Sequence, residues 1–533
     1  MYLQLFKMTA VTLIVFLLVM TNYAESANIL YVIPFSAMSH YIFLKSIGLE
    51  LAHRGHNVTV ITTFMEKNPP PNYRQISVVN KNMWELIGEG AEAPNIFDLV
   101  DLSPEEFQSK IHWPGGVAFT DLVLSSPEVV EFLKKDNQFD LVICEQFFQE
   151  ALYTLSVKYN APLAIISTFG NCMRHNLVTR NPLQLATVVG EYLSVNNPRS
   201  FSGRLRNFYF TVYEYFWWRY WYLDKQEQLV PKYFPELVGK TPSLYDLQKD
   251  ASIMLINSHF SYDTPFALLP NIVEIGGAHL SRSNTSLPED LQKLLDESKH
   301  GVVYVSFGSN VRSADLPEEK KKAFLNVFKK LKQTVVWKWE EDILEGKPNN
   351  LVIRKWFPQK EILAHPNIKV FIAHGGLIGM QETIFNGVPV VGIPIYSDQH
   401  NNLVLAEEAG FGKLLQYHDI TEKNLDKALH DVLNNDSYMK KAKELQKIWK
   451  DRPMSPLDTA MFWLEYVIRN KGAEYIKNPA RNMNWFAYNM VDVYAFILAI
   501  LTIVIALIVK VISTITIFLF GDQVKTTTKK KRS

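Results

Sequence analysis

The chain has 533 residues, more than one hydrophobic core usually supports, so its length predicts two globular domains plus accessory segments. Its 55 lysines and arginines nearly balance its 54 aspartates and glutamates, which excludes both a basic field for nucleic acid and an acidic, disordered chain. Aromatic residues make up 13% of the chain, a supply that suits apolar pockets or membrane contact as well as ordinary cores.

The chain begins with a pattern typical of a secretory signal peptide. Lys7 precedes an apolar run over residues 9–20, and small residues follow just before Ala27. A signal peptidase cuts after such a pattern, so we predict that residues 1–26 are removed and that the mature chain starts near Ala27. The alternative, an uncleaved anchor, is disfavoured because the run is short for a membrane span.

An apolar segment near the other end predicts a transmembrane helix. Residues 493–520 carry one charge, Lys510, whose long side chain can reach the membrane interface. We predict a span over residues 493–512, with a juxtamembrane segment at 481–492 before it and a membrane-proximal segment and basic tail over 513–533 after it. Positive charge marks the cytosolic side of a span, so both globular domains are predicted to be lumenal.

Several features of the chain fit the lumen of the endoplasmic reticulum. The ending, residues 530–533, resembles a dilysine retrieval signal, although a plain stop-transfer cluster has the same composition. Sequons for N-glycosylation occur at Asn57, Asn284 and Asn435. The two cysteines are too few to staple the fold, and whether Cys144 pairs with Cys172 stays open.

Two series of short β-branched runs alternate with helical stretches, which is typical of parallel α/β sheets. The first series predicts buried strands at residues 28–33, 58–61, 141–144 and 163–167. The second predicts strands at residues 302–306, 334–339, 351–354, 369–373 and 388–393. A serine-rich stretch over 281–286 indicates a linker, so we predict two doubly wound, Rossmann-like lobes at residues 27–280 and 281–480.

The second lobe carries the strongest motif of the chain. After the predicted strand 369–373, the run His374-Gly375-Gly376 opens a helix that continues through Gly379 to Glu382. Ligands of such sheets bind beyond the carboxyl ends of the strands. The free backbone N–H groups and the positive end of the helix dipole therefore predict a diphosphate site here.

This run, together with residues 387–399, closely resembles the signature of the UDP-glycosyltransferase family, in the membrane-bound animal form that includes insect UDP-glucosyltransferases and UDP-glucuronosyltransferases. The resemblance covers nearly the entire chain and implies a GT-B fold, in which an acceptor-binding lobe faces a UDP-sugar-binding lobe. It also implies inverting transfer of a hexose to a small lipophilic acceptor without a cofactor. The chain has no Asp-x-Asp pair, so we expect no metal ion.

The resemblance assigns donor contacts to residues of the second lobe. Trp356 would stack on the uracil and Gln359 would face its edge, although a core position is the alternative for Trp356. The other implied contacts are Ser309, His374, Gly376 and Gly379 at the diphosphate, Glu382 at the ribose, and Asp398 and Gln399 at the sugar hydroxyls. Many relatives carry Asn where this chain has Ile378, so one phosphate contact must come from the backbone or water.

The first lobe supplies a candidate general base. His40 follows the predicted strand 28–33 at the start of a helix, where the positive helix end keeps an imidazole neutral. The family's base stands at this place, and its orienting Asp corresponds to Glu145, one methylene longer, directly after strand 141–144. Asp140, at the other end of that strand, is interpreted as a turn residue.

Residues 171–245 are rich in Phe, Trp and Tyr. In the family this region forms the acceptor pocket and faces the membrane, and a buried helical subdomain is an equal alternative. The acceptor itself and a homo-oligomeric state are left open by the sequence.

One substitution bears on the donor sugar. Relatives that use UDP-glucuronic acid carry an Arg in a Pro-Arg-Pro stretch, and Phe266 stands in its place here. A sugar carboxylate beside Phe266 would lack a partner, whereas glucose needs none, so the sequence favours UDP-glucose. The alternatives are a UDP-glucuronosyltransferase, with Lys338 as the substitute cation, a non-catalytic binding protein and a glycolipid synthase.

Overall fold

The computed structural model describes residues 26–81, 83–87, 95–195, 197–281 and 286–529 of the chain. Residues up to Lys477 form one compact unit that contains both sheets, and Asn478–Ser533 form a second unit. Residues 1–25 of the predicted signal peptide, the sequon at Asn284 and the ending at 530–533 lie outside the described residues.

Seven parallel strands form the first sheet: β1 (Asn28–Ile33), β2 (Asn57–Thr62), β3 (Tyr73–Ser77), β4 (Leu141–Glu145), β5 (Leu163–Ser167), β6 (Ile253–Ile256) and β7 (Ile272–Glu274). Their order is β3-β2-β1-β4-β5-β6-β7, so the direction of winding reverses between β1 and β4. In a doubly wound sheet a crevice opens at the carboxyl ends of the two strands that flank this reversal.

The second sheet contains six parallel strands: β8 (Val302–Ser306), β9 (Thr334–Lys338), β10 (Leu351–Arg354), β11 (Ile368–Ala373), β12 (Val390–Gly392) and β13 (Gly412–Leu414). Their order is β10-β9-β8-β11-β12-β13, and the reversal falls between β8 and β11. Because β4, β5 and β8 are buried on both faces, their sequences are continuous apolar runs rather than alternating ones.

Helices cover the faces of the two sheets and complete the chain. Those of the first lobe are α1 (Met38–His53), α2 (Met83–Ile87), α3 (Pro104–Phe107), α4 (Trp113–Ser125), α5 (Pro127–Leu133), α6 (Thr154–Lys158), α7 (Met173–Thr179), α8 (Phe201–Trp217), α9 (Leu223–Glu227), α10 (Leu229–Tyr233) and α11 (Leu244–Lys249). The later ones are α12 (Glu289–Asp296), α13 (Glu318–Lys330), α14 (Gln359–Ala364), α15 (Leu377–Asn386), α16 (Gln399–Glu408), α17 (Glu422–Asn434), α18 (Asp436–Lys450), α19 (Pro456–Arg469), α20 (Trp485–Tyr488) and α21 (Val491–Lys529).

Helix α19 packs on the first lobe although it follows the second in sequence. Its buried residues Leu457, Met461 and Leu464 belong to the same hydrophobic cluster as Phe43 and Ile47 of α1. The chain thus returns from the second lobe to the first, where the apolar face of α19 is buried.

Helix α21 is the one helix among the described residues that is long and apolar enough to cross a membrane. Its apolar part, Val491–Phe520, contains 30 residues. At 1.5 Å per residue this stretch is about 45 Å long, against about 30 Å for the hydrocarbon core of a bilayer.

Four strands, β3, β6, β7 and β13, are absent from the predicted set. β7 and β13 have three residues each, too few for a periodic pattern to stand out. β3 lies at the sheet edge, and its Arg74 and Gln75 interrupt the apolar run. Short strands next to an edge obtain their order from the neighbouring strand and not from their own composition.

Candidate active site

His40 lies at the switch point of the first sheet. β1 ends at Ile33 and α1 begins at Met38, so His40 is in the first turn of the helix that follows the strand. Ala37 at the N-cap makes no side-chain hydrogen bond to the helix. The first turn of α1 therefore faces the crevice, and the side chain of Ala37 does not cap its backbone N–H groups.

Two further strand ends bring polar groups to His40. Oε1 of Glu145, at the end of β4, lies 2.5 Å from Nδ1 of His40. The hydroxyl of Thr168, directly after β5, lies 3.0 Å from the same nitrogen and donates to Glu145 at 3.4 Å. When Nδ1–H donates to the carboxylate, Nε2 keeps its lone pair, and it is this nitrogen that can take a proton from a substrate.

The structure brings Glu145, and not Asp140, to the histidine. The Glu145 side chain is fully buried, and its Oε2 has no hydrogen-bond partner among the described residues. Asp140 lies before β4, where its carboxylate accepts a hydrogen bond from the backbone N–H of Asn28 at 2.7 Å. The strand end accommodates the extra methylene of Glu145, whose carboxylate reaches the histidine. The catalytic roles of His40 and Glu145 stay predictions.

Aromatic rings surround the His40 imidazole on the side of the first lobe. Ring centroids of Phe35, Phe147 and Phe169 lie 4.9, 4.7 and 5.8 Å from it. Phe148, next to Phe147, has a φ of 57°, a left-handed conformation that non-glycine residues rarely adopt. This apolar environment strengthens the contact between His40 and Glu145 and suits a lipophilic acceptor.

The predicted diphosphate turn is built around the ring of His374. A Cβ at Gly376 would lie 2.6 Å from Nε2 of His374, and a Cβ at Gly308, after β8, would lie 2.7 Å from its Cε1. The imidazole fits between these two turns because both positions are glycine. Burial, followed by the charge of Lys338, lowers the pKa of His374 to about 4, so the ring is neutral and can donate one hydrogen bond.

The predicted contacts Ser309 and Gly379, and Ile378 at the position of the family's Asn, belong to the same region. Ser309 follows Gly308, and its half-buried hydroxyl lies 3.4 Å from Oδ1 of Asn310. A Cβ at Gly379 would lie 3.5 Å from Nε2 of Gln359, so the first turn of α15 runs beside that amide. Ile378 packs against the hydrophobic cluster of the first lobe, which gives its apolar side chain a structural use.

The predicted uracil and ribose contacts lie side by side. Nε2 of Gln359 donates to Oε2 of Glu382 at 2.6 Å. Burial raises the pKa of Glu382 to about 7, which keeps a carboxyl group in the site that can both accept and donate hydrogen bonds. Trp356 is 55% exposed, so the core interpretation of this tryptophan is wrong and its ring face is available to a ligand.

Asp398 and Gln399 begin α16 and differ in what they leave for a ligand. The Gln399 side-chain oxygen accepts the backbone N–H groups of Ile395 and Tyr396 at 2.8 and 3.1 Å, which leaves its amide nitrogen for a sugar. The Asp398 carboxylate accepts a hydrogen bond from the side-chain amide of Asn402 at 2.7 Å. Burial raises the pKa of Asp398 to about 6.

A pocket between the lobes joins these groups. Phe169, which contacts the ring of His40, lines it from the first lobe, and Asp398 and Leu377 line it from the second. Phe266, at the position of the arginine in glucuronic-acid-using relatives, lines the same pocket. The predicted sugar contact Asp398 therefore faces a pocket whose wall, at Phe169, contacts the ring of the candidate base.

Thr168, which contacts both His40 and Glu145, is a polar residue of the site that the sequence analysis does not predict. It follows β5 directly, so the rule that functional residues lie beyond strand ends could have found it.

Cys144 and Cys172 are both buried, free thiols. No three His, Cys, Asp or Glu side chains within the described ranges are grouped to hold a metal ion, and metal independence stays a prediction.

Two Rossmann-like parallel sheets with a ligand cleft between them define the GT-B fold. Among solved structures, a UDP-glucose: anthocyanidin 3-O-glucosyltransferase in complex with UDP matches with a TM-score of 0.57 at 17% identity, over 84% of this chain and 100% of that chain. The calicheamicin glycosyltransferase CalG4 matches with a TM-score of 0.54 at 15% identity, over 84% and 99% of the two chains. The predicted fold class is thereby confirmed.

The chain belongs to the UDP-glycosyltransferase family. The family described as "UDP-glucoronosyl and UDP-glucosyl transferase" matches residues 117–528. Relatives include UDP-glycosyltransferase UGT5 of Dactylopius coccus, 36% identical over 91% of both chains, and UDP-glucosyltransferase 2 of the same species, 33% identical over 90% of this chain and 91% of the relative. Human UDP-glucuronosyltransferase 1A10 is 30% identical over 92% of both chains. The protein is a UDP-sugar-dependent glycosyltransferase, as predicted. This excludes the alternative of a non-catalytic binding protein.

Proposed function

We propose that this enzyme transfers glucose from UDP-glucose to a hydroxyl group of a small lipophilic acceptor, with inversion at the anomeric carbon. The observation that carries the choice of sugar is the position of Phe266 in the pocket beside Asp398. The proposal includes the predicted location: catalytic lobes in the lumen of the endoplasmic reticulum, one span in α21 and a basic cytosolic tail. Conjugation of this kind makes lipophilic compounds water-soluble, which suits a role in detoxification.

The proposed reaction is a single displacement. Nε2 of His40 takes the proton of the acceptor hydroxyl while the oxygen attacks the anomeric carbon. The bond between that carbon and the diphosphate oxygen breaks, and UDP leaves with the electron pair. Glu145 stabilises the imidazolium through Nδ1, and His374 with the start of α15 offsets the charge of the leaving diphosphate.

Charge in the pocket supports glucose over glucuronic acid as the donor sugar. The pocket is lined by four carboxylates, Glu191, Asp263, Asp398 and Glu408, and by one guanidinium, that of the exposed Arg199. Arg174 pairs with Glu191 at 2.7 Å, is shared with Glu214 and does not line this pocket. A sugar carboxylate would find no buried cation along this lining, whereas the hydroxymethyl group of glucose is neutral and needs none.

Lys338 is engaged elsewhere and does not substitute for the missing arginine. Its Nζ lies 2.6 Å from Oε1 of Glu340 and 6.0 Å from the ring centroid of Trp356. It is absent from the lining of the pocket that holds Phe266 and Asp398. Lys338 therefore belongs with the predicted nucleotide contacts rather than with the sugar.

The experiment compares the two donors on membranes that contain the full-length chain. We expect UDP-glucose to support transfer to a simple phenol at least tenfold better than UDP-glucuronic acid in kcat/KM, a ratio that corresponds to about 1.4 kcal/mol. Phe266→Arg should raise the use of UDP-glucuronic acid, and Phe266→Leu, an apolar control, should not. Equal or reversed donor rates in the unmodified enzyme would contradict the proposal.

A further inference from the structure

His112 is a buried histidine close to the active site that the reaction above does not use. It ends the π-helix Gln108–His112 and is 3% exposed. Its Nδ1 is buried and has no hydrogen-bond partner among the described residues. A buried polar atom without a partner is destabilising, and π-helical turns occur frequently at functional sites.

Four aromatic side chains enclose His112, and we call them the aromatic box. Ring centroids of Phe107, Tyr192, Phe148 and Phe147 lie 4.4, 4.8, 4.9 and 5.9 Å from the imidazole. The rings pack directly on the imidazole, and two buried polar atoms of this cluster, Nδ1 of His112 and the hydroxyl of Tyr192, have no hydrogen-bond partner among the described residues. Aromatic side chains with a few polar groups among them are typical of the wall of a ligand site.

The aromatic box adjoins the candidate base. The Phe147 ring contacts the His40 ring at 4.7 Å and the His112 ring at 5.9 Å, so the two imidazole centroids lie within about 11 Å of each other. A bicyclic aromatic molecule with polar groups at both ends spans a distance of this order. The two histidines therefore lie within the span of one such molecule.

The aromatic box also borders the cleft between the lobes. Phe107 and Tyr192 line a second pocket there, together with Tyr396 and Ser397 of the second lobe. The Phe107 and Tyr396 ring centroids are 5.6 Å apart across this cleft. A ligand that enters between the lobes thus meets the box beside the donor-binding lobe.

The imidazole of His112 is neutral. Burial, followed by the charges of Arg174 and His40, lowers its pKa well below the usual range for histidine. A neutral ring carries one N–H donor and one acceptor nitrogen, and both can pair with a hydroxyl group but neither attracts a charged group strongly.

Neighbouring side chains add to the polar capacity of this region. Gln146 and Gln149 flank the two phenylalanines of the box in sequence and are 4% and 1% exposed. The amide oxygen and nitrogen of both residues have no partner among the described residues. Buried amides in native proteins are almost always paired, so these four atoms are available to water or to polar groups of a ligand near the box.

We infer that His112 is a specificity residue for the acceptor: the enzyme takes planar aromatic acceptors that carry a second hydroxyl group, which pairs with His112 while the first reacts at His40. This inference rests on the proposed function, because it names the acceptor class of the same site. It goes beyond that function in assigning recognition to a residue outside the predicted catalytic and donor contacts.

The test uses two acceptors of equal shape, 2,6-dihydroxynaphthalene and 6-methyl-2-naphthol, with UDP-glucose and the full-length enzyme. We expect the dihydroxy compound to be used at least tenfold better in kcat/KM. His112→Leu should reduce this preference to about twofold, the statistical factor for two equivalent hydroxyls. His112→Asn, which has the same shape as the Leu variant and keeps a polar atom near Nδ1, should retain most of it.

Binding of the same two naphthols to the UDP-loaded enzyme, followed by quenching of tryptophan fluorescence, provides a readout that does not depend on turnover. Equal affinity and equal use of the two compounds by the unmodified enzyme would overturn the inference, and so would a preference that is the same in the Leu and Asn variants. Absence of glucose transfer to either compound, with the binding preference intact, would contradict the proposed function and leave the His112 contact supported.

Discussion

The His40 ring has one nitrogen engaged and one left for the substrate. Nδ1 lies within hydrogen-bond distance of both Glu145 and Thr168, which hold the ring in place. A rigidly held imidazole is poised to act as a base because little reorganisation accompanies proton transfer. The arrangement of three strand ends therefore accounts for the geometry of the proposed proton transfer.

We predict that His40→Ala lowers transfer by two or more orders of magnitude and leaves UDP binding nearly intact, since the residue acts on the acceptor proton and not on the nucleotide. Steady-state kinetics and UDP titration on the same membranes measure both quantities. Near-normal turnover would remove His40 from the mechanism.

A matched pair of variants uses the two acids at the ends of β4, Asp140 just before the strand and Glu145 at its end. Glu145→Gln should lower turnover with the fold intact, because the amide cannot stabilise an imidazolium. Asp140→Asn should have the smaller effect, because the Asp140 carboxylate accepts a backbone N–H at the far end of the strand and does not contact His40. If Asp140→Asn were the more damaging change in folded protein, the assignment of Glu145 would be wrong.

The raised pKa of Asp398 makes the free energy of unfolding of the enzyme depend on pH. Its pKa is raised by burial from 3.8 to about 6, so the folded protein holds this proton more tightly than the unfolded chain does. The free energy of unfolding therefore decreases as the pH rises from about 4 to about 6 and the buried carboxylate ionises. We expect Asp398→Asn to stabilise the ligand-free enzyme at pH 7.5 by about 1–3 kcal/mol while it lowers transfer.

Thermal unfolding of the detergent-solubilised chain at pH 4.5 and pH 7.5 checks this expectation. The stability difference between the Asn variant and the unmodified protein should be larger at the higher pH. A difference of the same size at both pH values would mean that ionisation of Asp398 is not its cause.

At the scale of elements, α8 carries two different faces. Phe210 on this helix and the following Trp218 and Tyr222 are fully buried. The opposite face exposes a stripe of apolar and aromatic side chains, 56–75% exposed: Phe201, Leu205, Phe208, Tyr209 and Phe216. The two alternatives drawn from the aromatic composition, a buried subdomain and a membrane-facing region, thus apply to opposite faces of one helix, and membrane contact stays a prediction.

We predict that this stripe binds a lipid surface, because so large a contiguous apolar face is uncommon on a protein in water and aromatic side chains favour the membrane interface. Protein truncated before Tyr494 should sediment with phospholipid vesicles. Replacement of Phe201, Phe208 and Phe216 by Ser should release it. The matched change of Tyr475, exposed elsewhere, to Ser should not. Equal sedimentation of both variants would contradict the role of the stripe.

At the scale of the whole molecule, both sheets and every predicted site residue lie in the unit that ends at Lys477, and the membrane-spanning candidate lies in the other. We therefore expect truncation before Tyr494 to yield soluble or peripherally bound protein that still transfers glucose. Extraction with alkaline carbonate and a transfer assay on the same fraction measure this. Behaviour as an integral membrane protein would indicate another span or an uncleaved signal.

The sequence by itself determined those features that depend on local patterns. Strands buried on both faces appear as continuous apolar runs, and the limits predicted for β1, β5, β8 and β10 agree with the structure. The glycine-rich turn before α15 and the apolar length of α21 are equally local. Residues close together in the chain share one element, so composition and period are enough to identify it.

Only the tertiary structure decided which distant residues meet. His40 and Glu145 are 105 positions apart, and Thr168 is 128 positions from His40, yet the order of strands in the sheet brings all three together. The same holds for Phe266 beside Asp398 and for the aromatic rings around His112. Such contacts follow from sheet order and side-chain packing across the whole lobe, and no pattern along the chain encodes them locally.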